Sequence, residues 1–500
     1  MDLETLLSYP WGIMAPEFTI LIVATLLSLA DLFMKDKVDR NVLGWGAIGG
    51  VVLALIFLVG QFGAPVQMIL YDTYRLDSFS VAFKLILLIG TLFVLLIGLD
   101  YSKKEIKYRG EFFYLLLTAL LGGMIMSSSA DMITLFVGLE LLSLSSYVMA
   151  GLRKENLQSN ESAFKYVVNG GVATAITLFG MSYVYGLTGH TNLFDIRDSL
   201  QNPVVLENSF LLAFAFFLVF VGLAFKVAAV PFHMWSPDVY QGAPTPVTAF
   251  LSVVSKTAGF ALILRFLLVV FGGAHGIVPM QPLLLDTQIY IAVIAGLTMI
   301  VGNVMALRQT NVKRLFAYSS VAQAGYLLVP FATLSIVMFE NVWFYLVAYL
   351  FMNLGAFAVL QFVTSQSGTE DLKSFSGLGG RSPLLAVGMA VFLVSLAGIP
   401  VTAGFMGKFY IFIGALSTGH FILASVMIAT SVISYFYYFG IMTQMFFRRS
   451  ATTEPMRVPV GTSIVIVVAV IATIGLGIVP QLAIDFFNTN FDFSQIFMRT

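Results

Sequence analysis

Two stretches of this chain set a basic side chain beside a proline in otherwise hydrocarbon-like surroundings. They are LAFKVAAVPFHMWSPDVYQGAPTPV at 223–247 and VSLAGIPVTAGFMGKFYIF at 394–412. Lys226 precedes Pro231, Lys408 follows Pro400, and no other charge lies between Asn208 and Lys226. DMITLFVGLELLSLSSYVMAGL, at 131–152, carries Glu140 in the middle of an apolar run, and Lys256 stands in another. An ionisable group at mid-depth in hydrocarbon is costly, and by default it marks an ion pathway or proton relay. Amines and a carboxylate so placed can take up and release protons. An opposite charge about 4 Å away at an effective dielectric near 20 stabilises an ammonium by roughly 4 kcal/mol. Opening and closing a Glu140–Lys226 pair is therefore expected to switch the lysine between holding and releasing its proton.

The remaining titratable groups within apolar runs are weighed against simpler roles. Lys84 and Arg265 lie near helix ends and are expected to reach the interface with their charged tips. Lys165 has Glu161 one turn before it, the spacing of an ordinary helix ion pair, and it is also a candidate for proton transfer. His233 follows the break at Pro231 and suits a relay between Lys226 and Lys256, because imidazole titrates near neutrality. The expected proton-translocation set is thus Glu140, Lys226, Lys256, Lys408, His233 and Lys165, with helix breaks at Pro231 and Pro400. A buried ion pair that merely fixes helix register would not explain three lysines lined up with two breaks.

The elements that position these residues follow from composition. Hydrophobic residues make up 59% of the 500 residues and charged residues 10%, and the mean hydropathy is +0.93. A soluble chain usually carries about a quarter charged residues. A helix of about 20 apolar residues spans the hydrocarbon. Fourteen such segments are expected, near 13–34, 42–61, 76–99, 110–127, 130–150, 162–187, 208–240, 243–272, 285–305, 311–334, 340–364, 384–413, 418–447 and 458–486. Backbone groups in lipid must be satisfied internally, and barrel-type alternation is absent, so the fold class is an all-α polytopic membrane bundle.

One set of alternate connections holds Lys35, Lys37, Arg40, Lys103, Lys104, Lys107, Arg109, Arg153, Lys154, Arg308, Lys313, Arg314, Lys373, Arg381, Arg448, Arg449 and Arg457. The other set, with both termini, holds only Arg75, Arg197 and Arg499. The positive-inside rule then puts both termini outside the cytoplasm. The N-terminus lacks the cationic start of a cleavable signal peptide and reads as a lead into the first helix.

Several function classes are excluded. Net charge is zero, so nothing points to nucleic acid. There is no cysteine, hence no disulfide framework and no all-cysteine iron–sulfur cluster in this chain. His190, His233, His275 and His420 are scattered, without metal or haem spacing, and no phosphate loop or dinucleotide fingerprint occurs. No catalytic, cofactor-binding or metal-ligating residues are expected, so any redox chemistry belongs to partners.

Span seven is too long to be continuous, and Pro231 breaks it. Span twelve repeats the feature at Pro400, five spans later. A five-span repeat has an odd number of crossings, so its second copy runs inverted. Interrupted helices at matching places in two inverted halves mark an ion-pathway protein. The expected organisation is an N-terminal three-helix segment (1–108), a first five-helix repeat (109–272), an inverted second repeat (285–447), and a C-terminal helix and tail (448–500).

AFKVAAVPFHMWSPDVYQGAPTPV resembles the seventh-to-eighth helix segment of the antiporter-like subunits of respiratory complex I, the NADH–quinone oxidoreductase. NVKRLFAYSSVAQAGYLL resembles their tenth-helix segment and AGIPVTAGFMGKFY their broken twelfth helix, so the likeness covers about residues 110–450. The chain is too short for the long lateral C-terminal helix of one branch. Lys408 departs from another branch, which places a glutamate there.

The resemblance implies that Glu140, Lys226, Lys256 and Lys408 are the family's fifth-, seventh-, eighth- and twelfth-helix charges. Lys165 and His233 match positions of its central hydrophilic axis. It further implies proton translocation coupled to electron transfer from NADH to quinone. FMN, iron–sulfur clusters and quinone would lie in partner subunits. The partners would be other antiporter-like and small membrane subunits within the lipid bilayer of a bacterial inner membrane. Mrp-type cation/proton antiporter subunits share much of the pattern and stand as the alternative.

Overall fold

The computed structural model describes residues 3–35, 37–201, 208–274, 276, 281–449, 456 and 458–499. His275 and Arg457 lie outside the described residues. Thirteen helices are long and apolar enough to cross a membrane, and a further crossing is made by two shorter apolar helices in sequence, Pro383–Ala397 and Ala403–Ser417. The expected all-α membrane bundle is therefore the observed fold, and each of the fourteen expected spans has a helical counterpart.

The first three spans are α1 (Ala15–Phe33), α2 (Asn41–Val59) and α3 (Ser78–Glu105). A small antiparallel hairpin, β1 (Gln67–Ile69) and β2 (Tyr74–Leu76), leads into α3. Asp77 starts α3 because its carboxylate accepts the Ser80 N–H while the Ser80 hydroxyl side reciprocates at the Asp77 N–H. Next come α4 (Arg109–Ser128), α5 (Met132–Ala150) and α6 (Leu157–Thr188). Asp131 and Asn156 cap α5 and α6 through the same kind of side-chain acceptance. In the connection before α2, the Asn41 N–H holds the Asp39 carboxyl below its usual range.

Span seven is broken into α7a (Ser209–Lys226) and α7b (Trp235–Gly242). Span eight, α8 (Thr245–Phe271), is continuous in length but contains a π-helical turn at Leu251–Ser255, immediately before Lys256. The spans α9 (Leu283–Ala306), α10 (Val312–Thr333) and α11 (Met338–Ser367) follow. Span twelve is α12a (Pro383–Ala397) and α12b (Ala403–Ser417), and the bundle closes with α13 (Phe421–Phe447) and α14 (Val460–Ile478).

The last span ends earlier than the sequence suggests. Pro480 disfavours helical backbone at the residue before it, and Val479 accordingly leaves the helix, so residues up to Asn490 form a separate short helix from Gln481.

Burial sorts the helices into layers. The apolar windows of α8 and α10 are entirely buried inside the chain, and α11 nearly so. By contrast α1, α6, α9, α13 and α14 turn large apolar side chains outward, such as Leu32, Phe164, Ile289, Phe436 and Ile471. In a bilayer the outer layer meets lipid or neighbouring helices. The two central helices meet only protein, so their polar side chains must find partners within the bundle.

Candidate functional site

Both helix breaks expose backbone groups, and each is satisfied by a specific partner. At the first, the Trp235 indole N–H donates to the Phe225 carbonyl at 3.1 Å, and the Thr298 hydroxyl of α9 accepts the Val230 N–H at 3.0 Å. At the second, Gly398 turns the chain with φ +81°, a conformation that favours glycine. The carbonyls freed at the end of α12a are taken by the amine of Lys408, at 2.9 Å from Leu396 and 3.3 Å from Ala397. Lysine and broken helix therefore belong together at span twelve: the ammonium supplies donors where the helix has lost them.

The three mid-depth lysines are buried, and each has a defined partner. Lys226 Nζ donates to the Ser143 hydroxyl of α5 at 3.1 Å. Lys256 Nζ donates to both the carbonyl and the hydroxyl of Ser320 on α10, at 2.5 and 2.6 Å. The π-helical turn before Lys256 is the kind of irregularity often found at functional sites. Lys408 Nζ also lies over the Tyr326 ring at 4.4 Å, a favourable cation–π position.

Glycines make room for the amines. A Cβ at Gly259 would sit 3.2 Å from Lys226 Cγ, and one at Gly398 would sit 3.0 Å from Lys408 Cδ. Gly259 lies one turn after Lys256 on α8, so the stems of Lys226 and Lys256 converge on one stretch of that helix.

Between the lysines runs a set of hydroxyl and amide groups centred on Ser320, Gln323 and Tyr326 of α10. Tyr240 and Tyr349 both reach the Ser320 hydroxyl, at 3.3 and 2.9 Å. One turn later Gln323 donates to the Leu396 carbonyl at 3.1 Å and accepts a hydrogen bond from the Tyr345 hydroxyl. Tyr326 contacts Thr430, Ser431 and Asn303, and Tyr437 extends the network through Asn303 at 2.9 Å. A cavity of about 240 Å³ beside Lys408, with Ser431 and Tyr435 in its wall, borders this end.

Glu140 stands one turn from Ser143 on α5 and accepts a hydrogen bond from Thr174 of α6 at 2.8 Å. No ion pair between Glu140 and Lys226 occurs among the described residues, and the Lys226 amine instead donates to the Ser143 hydroxyl. Glu140 is half-buried, and Val137 and Leu144 on the same side of α5 are exposed. The carboxylate thus sits at the lateral edge of the bundle, whereas Lys256 and Lys408 sit within it.

Two expected members lie elsewhere. Lys165 is ion-paired with Glu161 and with Asp238 of α7b, each at 2.6 Å, and Asp238 is also paired with Arg314 at 2.6 Å. His233 makes no hydrogen bond to Lys226 or Lys256 among the described residues. Its ring centroid is 6.5 Å from that of Tyr318.

Lys84 and Arg265 depart from the expected interfacial position. Both are completely buried and held by acids, Lys84 by Glu17 and Arg265 by Asp77, each at 2.5 Å. The carboxylates come from distant parts of the chain, which is why helix-end proximity alone misplaced the two cations.

Sequence reasoning passed over Ser143, Thr174, Asp238, Ser320, Gln323 and Tyr326. For α10 a signal was present: Ser319, Ser320, Gln323 and Tyr326 recur at helical spacing in an otherwise apolar run. Ser143 and Thr174 gave none, since single hydroxyls are common in apolar helices.

A bundle with two interrupted helices, buried amines and a polar seam on its central helix is an antiporter-like membrane subunit. A family model described as "NADH:quinone oxidoreductase/Mrp antiporter, TM" matches residues 129–434, and the chain belongs to this family. Among its relatives is the protein named NADH-quinone oxidoreductase subunit N of Geobacillus sp. (strain WCH70). It is 57% identical over 97% of this chain and 100% of that protein. The subunit N of Anoxybacillus flavithermus is 55% identical over 97% of this chain and 98% of its own.

Among solved structures, a chain of respiratory complex I from Thermus thermophilus is 31% identical and superposes with a TM-score of 0.79, covering 94% of this chain and 98% of that one. A chain of the Mrp complex from Dietzia sp., 20% identical with a TM-score of 0.79 over 98% and 97% of the two chains, shares the fold.

Proposed function

We propose that this chain is a proton-translocating membrane subunit of an NADH–quinone oxidoreductase. The observation that carries the reading is the pair of contacts Lys256–Ser320 and Gln323–Leu396–Lys408, both made by α10 inside the bundle. Relatives named as subunit N over the full length of the chain support the placement in that enzyme. The likeness to the Mrp complex rests on fold alone and does not favour the antiporter reading.

In this proposal the chain transfers no electrons. NADH oxidation and quinone reduction, with FMN and iron–sulfur clusters, belong to partner subunits, among them other antiporter-like and small membrane subunits. The protein sits in the bacterial inner membrane with both termini outside the cytoplasm. The functional unit comprises two inverted repeats, 109–272 and 285–447, flanked by 1–108 and 448–500.

A change at the lateral edge moves Glu140 toward or away from Lys226. At about 4 Å and an effective dielectric near 20, that contact is worth roughly 4 kcal/mol to the charged amine. When the contact forms, Lys226 leaves Ser143 and holds its proton. When it opens, the proton is free to pass toward Lys256. Ser320 then relays to the tyrosine and glutamine groups on α10, and Lys408 receives the charge at the second break. His233 and Lys165 flank this route, the first at the break and the second through Asp238.

The test is Lys226→Ala in the assembled oxidoreductase. Proton pumping in proteoliposomes is expected to be abolished or sharply reduced while the complex still assembles. Full pumping by the assembled variant would overturn the assignment.

A further inference from the structure

Lys313, at the start of α10, is a buried amine that the route above does not use. Its side chain is 0% exposed, and it is paired at 3.0 Å with Glu370, which is 24% exposed in the connection after α11. Lys313 Nζ also donates to the carbonyls of Gln241 and Ala243, at 3.1 and 2.8 Å. These carbonyls close α7b, the half-helix that follows the first break. The carbonyl between them, that of Gly242, accepts from Arg153 Nη2 at 2.9 Å.

A helix leaves its last four carbonyls without intrahelical partners, and where they are buried they need donors from elsewhere. A cation at that end is also favoured by the helix dipole. With 8 residues, α7b is shorter than the roughly 12–15 that a helix needs to hold itself. Its depth and rotation are therefore set by what grips its ends. Lys313 grips two carbonyls at once. Gly242 seats the same end against α6, where an added Cβ would lie 2.2 Å from the Gln158 carbonyl oxygen. The amine is in turn fixed by its own surroundings. The Val312 N–H donates to the Glu370 carbonyl at 2.8 Å, and Asn311 Nδ2 donates to the Glu370 carboxylate at 3.1 Å.

What this grip positions is the neighbouring Tyr240. Its hydroxyl lies 3.3 Å from Ser320 Oγ, and Ser320 stands two turns after Lys313 on α10. Helix α10 thus touches α7b at its end and again at Tyr240. A serine hydroxyl has one hydrogen to donate and two lone pairs. Lys256 Nζ and the Tyr349 hydroxyl both donate to the Ser320 oxygen, at 2.6 and 2.9 Å. With both lone pairs taken, the remaining contact, to Tyr240, is one in which Ser320 donates. Tyr240 thereby draws the hydroxyl hydrogen to itself and leaves a lone pair facing the amine of Lys256.

We propose that Lys313 is a positioning residue of the proton route. It holds the end of α7b so that Tyr240 accepts the Ser320 hydrogen, and Ser320 then presents a lone pair to Lys256. The inference rests on the proton-translocation reading above. Lys313 itself passes no proton, and its ammonium stays on the carbonyls of α7b.

The test uses the whole oxidoreductase in proteoliposomes, with pumping normalised to assembled complex. Lys313→Met keeps the length of the side chain and removes its donors. Glu370 retains Asn311 and its solvent-exposed side, so this variant is expected to assemble. Tyr240→Phe removes only the hydroxyl. Each is expected to lower the pumping rate roughly fivefold, the factor that one ordinary hydrogen bond carries.

The double variant Lys313→Met/Tyr240→Phe is expected to fall no further than the worse single variant, because both changes act on the same Ser320 hydroxyl. Independent losses would multiply to roughly twenty-fivefold, and that outcome would overturn the proposal. So would pumping at the parent rate by Tyr240→Phe or by assembled Lys313→Met. Failure of Lys313→Met to assemble would likewise overturn it, by making the lysine a structural lock. Lys226→Ala, measured alongside, separates the two readings: if it pumps fully the translocation reading fails, and if it alone is deficient only the positioning role fails.

Discussion

Gln323 and Lys408 donate to the same acceptor. The carbonyl oxygen of Leu396 lies 3.1 Å from Gln323 Nε2 and 2.9 Å from Lys408 Nζ. The carbonyl is available because α12a ends there, so the break in the helix is what joins α10 to the last buried amine. A continuous helix would have used that carbonyl for its own ladder.

Gln323→Leu removes this junction and leaves the Tyr345 hydroxyl without its acceptor. A buried donor left unsatisfied costs about 1–3 kcal/mol, which the thermal midpoint of the purified complex will register. Pumping per electron is expected to drop while NADH oxidation by detergent-solubilised enzyme persists. Undiminished pumping would remove Gln323 from the route.

Ser143→Ala takes away the hydroxyl that holds Lys226 when Glu140 is on Thr174. The amine then gains more from Glu140, and the Glu140–Lys226 contact is expected to persist. The expected outcome is slower pumping with the complex intact, and Ser143→Thr, which restores a hydroxyl, is expected to recover most of it. Equal rates in both variants would show that the hydroxyl has no part in releasing the amine.

Gly398→Ala acts through backbone and space together. Its φ of +81° disfavours any side chain, and the added Cβ would crowd Lys408 Cδ at 3.0 Å. A left-handed conformation costs an L-residue roughly 1–2 kcal/mol. Displacement of the lysine is expected to reduce pumping more than the stability loss reduces yield. The comparison is pumping normalised to assembled complex.

Asp238→Asn breaks the contacts that tie α7b to Lys165 and Arg314. The cluster is partly exposed, so each pair is worth about 0–1 kcal/mol and is screened by salt. The variant is expected to lower the thermal midpoint slightly at low ionic strength and less at high. An equal loss at both salt concentrations would mean that packing, not charge, is what Asp238 supplies.

Arg265→Met contrasts with it. Arg265 and Asp77 are both fully buried, and removing one partner of such a pair costs about 3–5 kcal/mol. Poor assembly is the expected outcome, assessed by the share of subunit recovered in the intact complex. Full recovery would show that Arg75 alone neutralises Asp77.

Much of this protein was legible in its residues. Hydropathy sets where helices cross, because unpaired backbone has no place in lipid. Pro231 and Pro400 set where two crossings break, because proline removes a hydrogen bond. Depth in an apolar run picked out Glu140, Lys226, Lys256 and Lys408, because a charge there is too costly to be incidental. Partner identity was not legible. Lys84 with Glu17, Arg265 with Asp77 and Lys165 with Asp238 each join residues far apart in the chain, and apolar helices of similar composition give no hint of which will be neighbours. The π-turn before Lys256 was equally silent, since its residues suit an ordinary helix. Composition fixes the solvent and therefore the helices. The packing of those helices decides which hydroxyl, carbonyl or carboxylate each buried amine meets, because a hydrogen bond depends on a separation of about 3 Å that no one-dimensional pattern encodes.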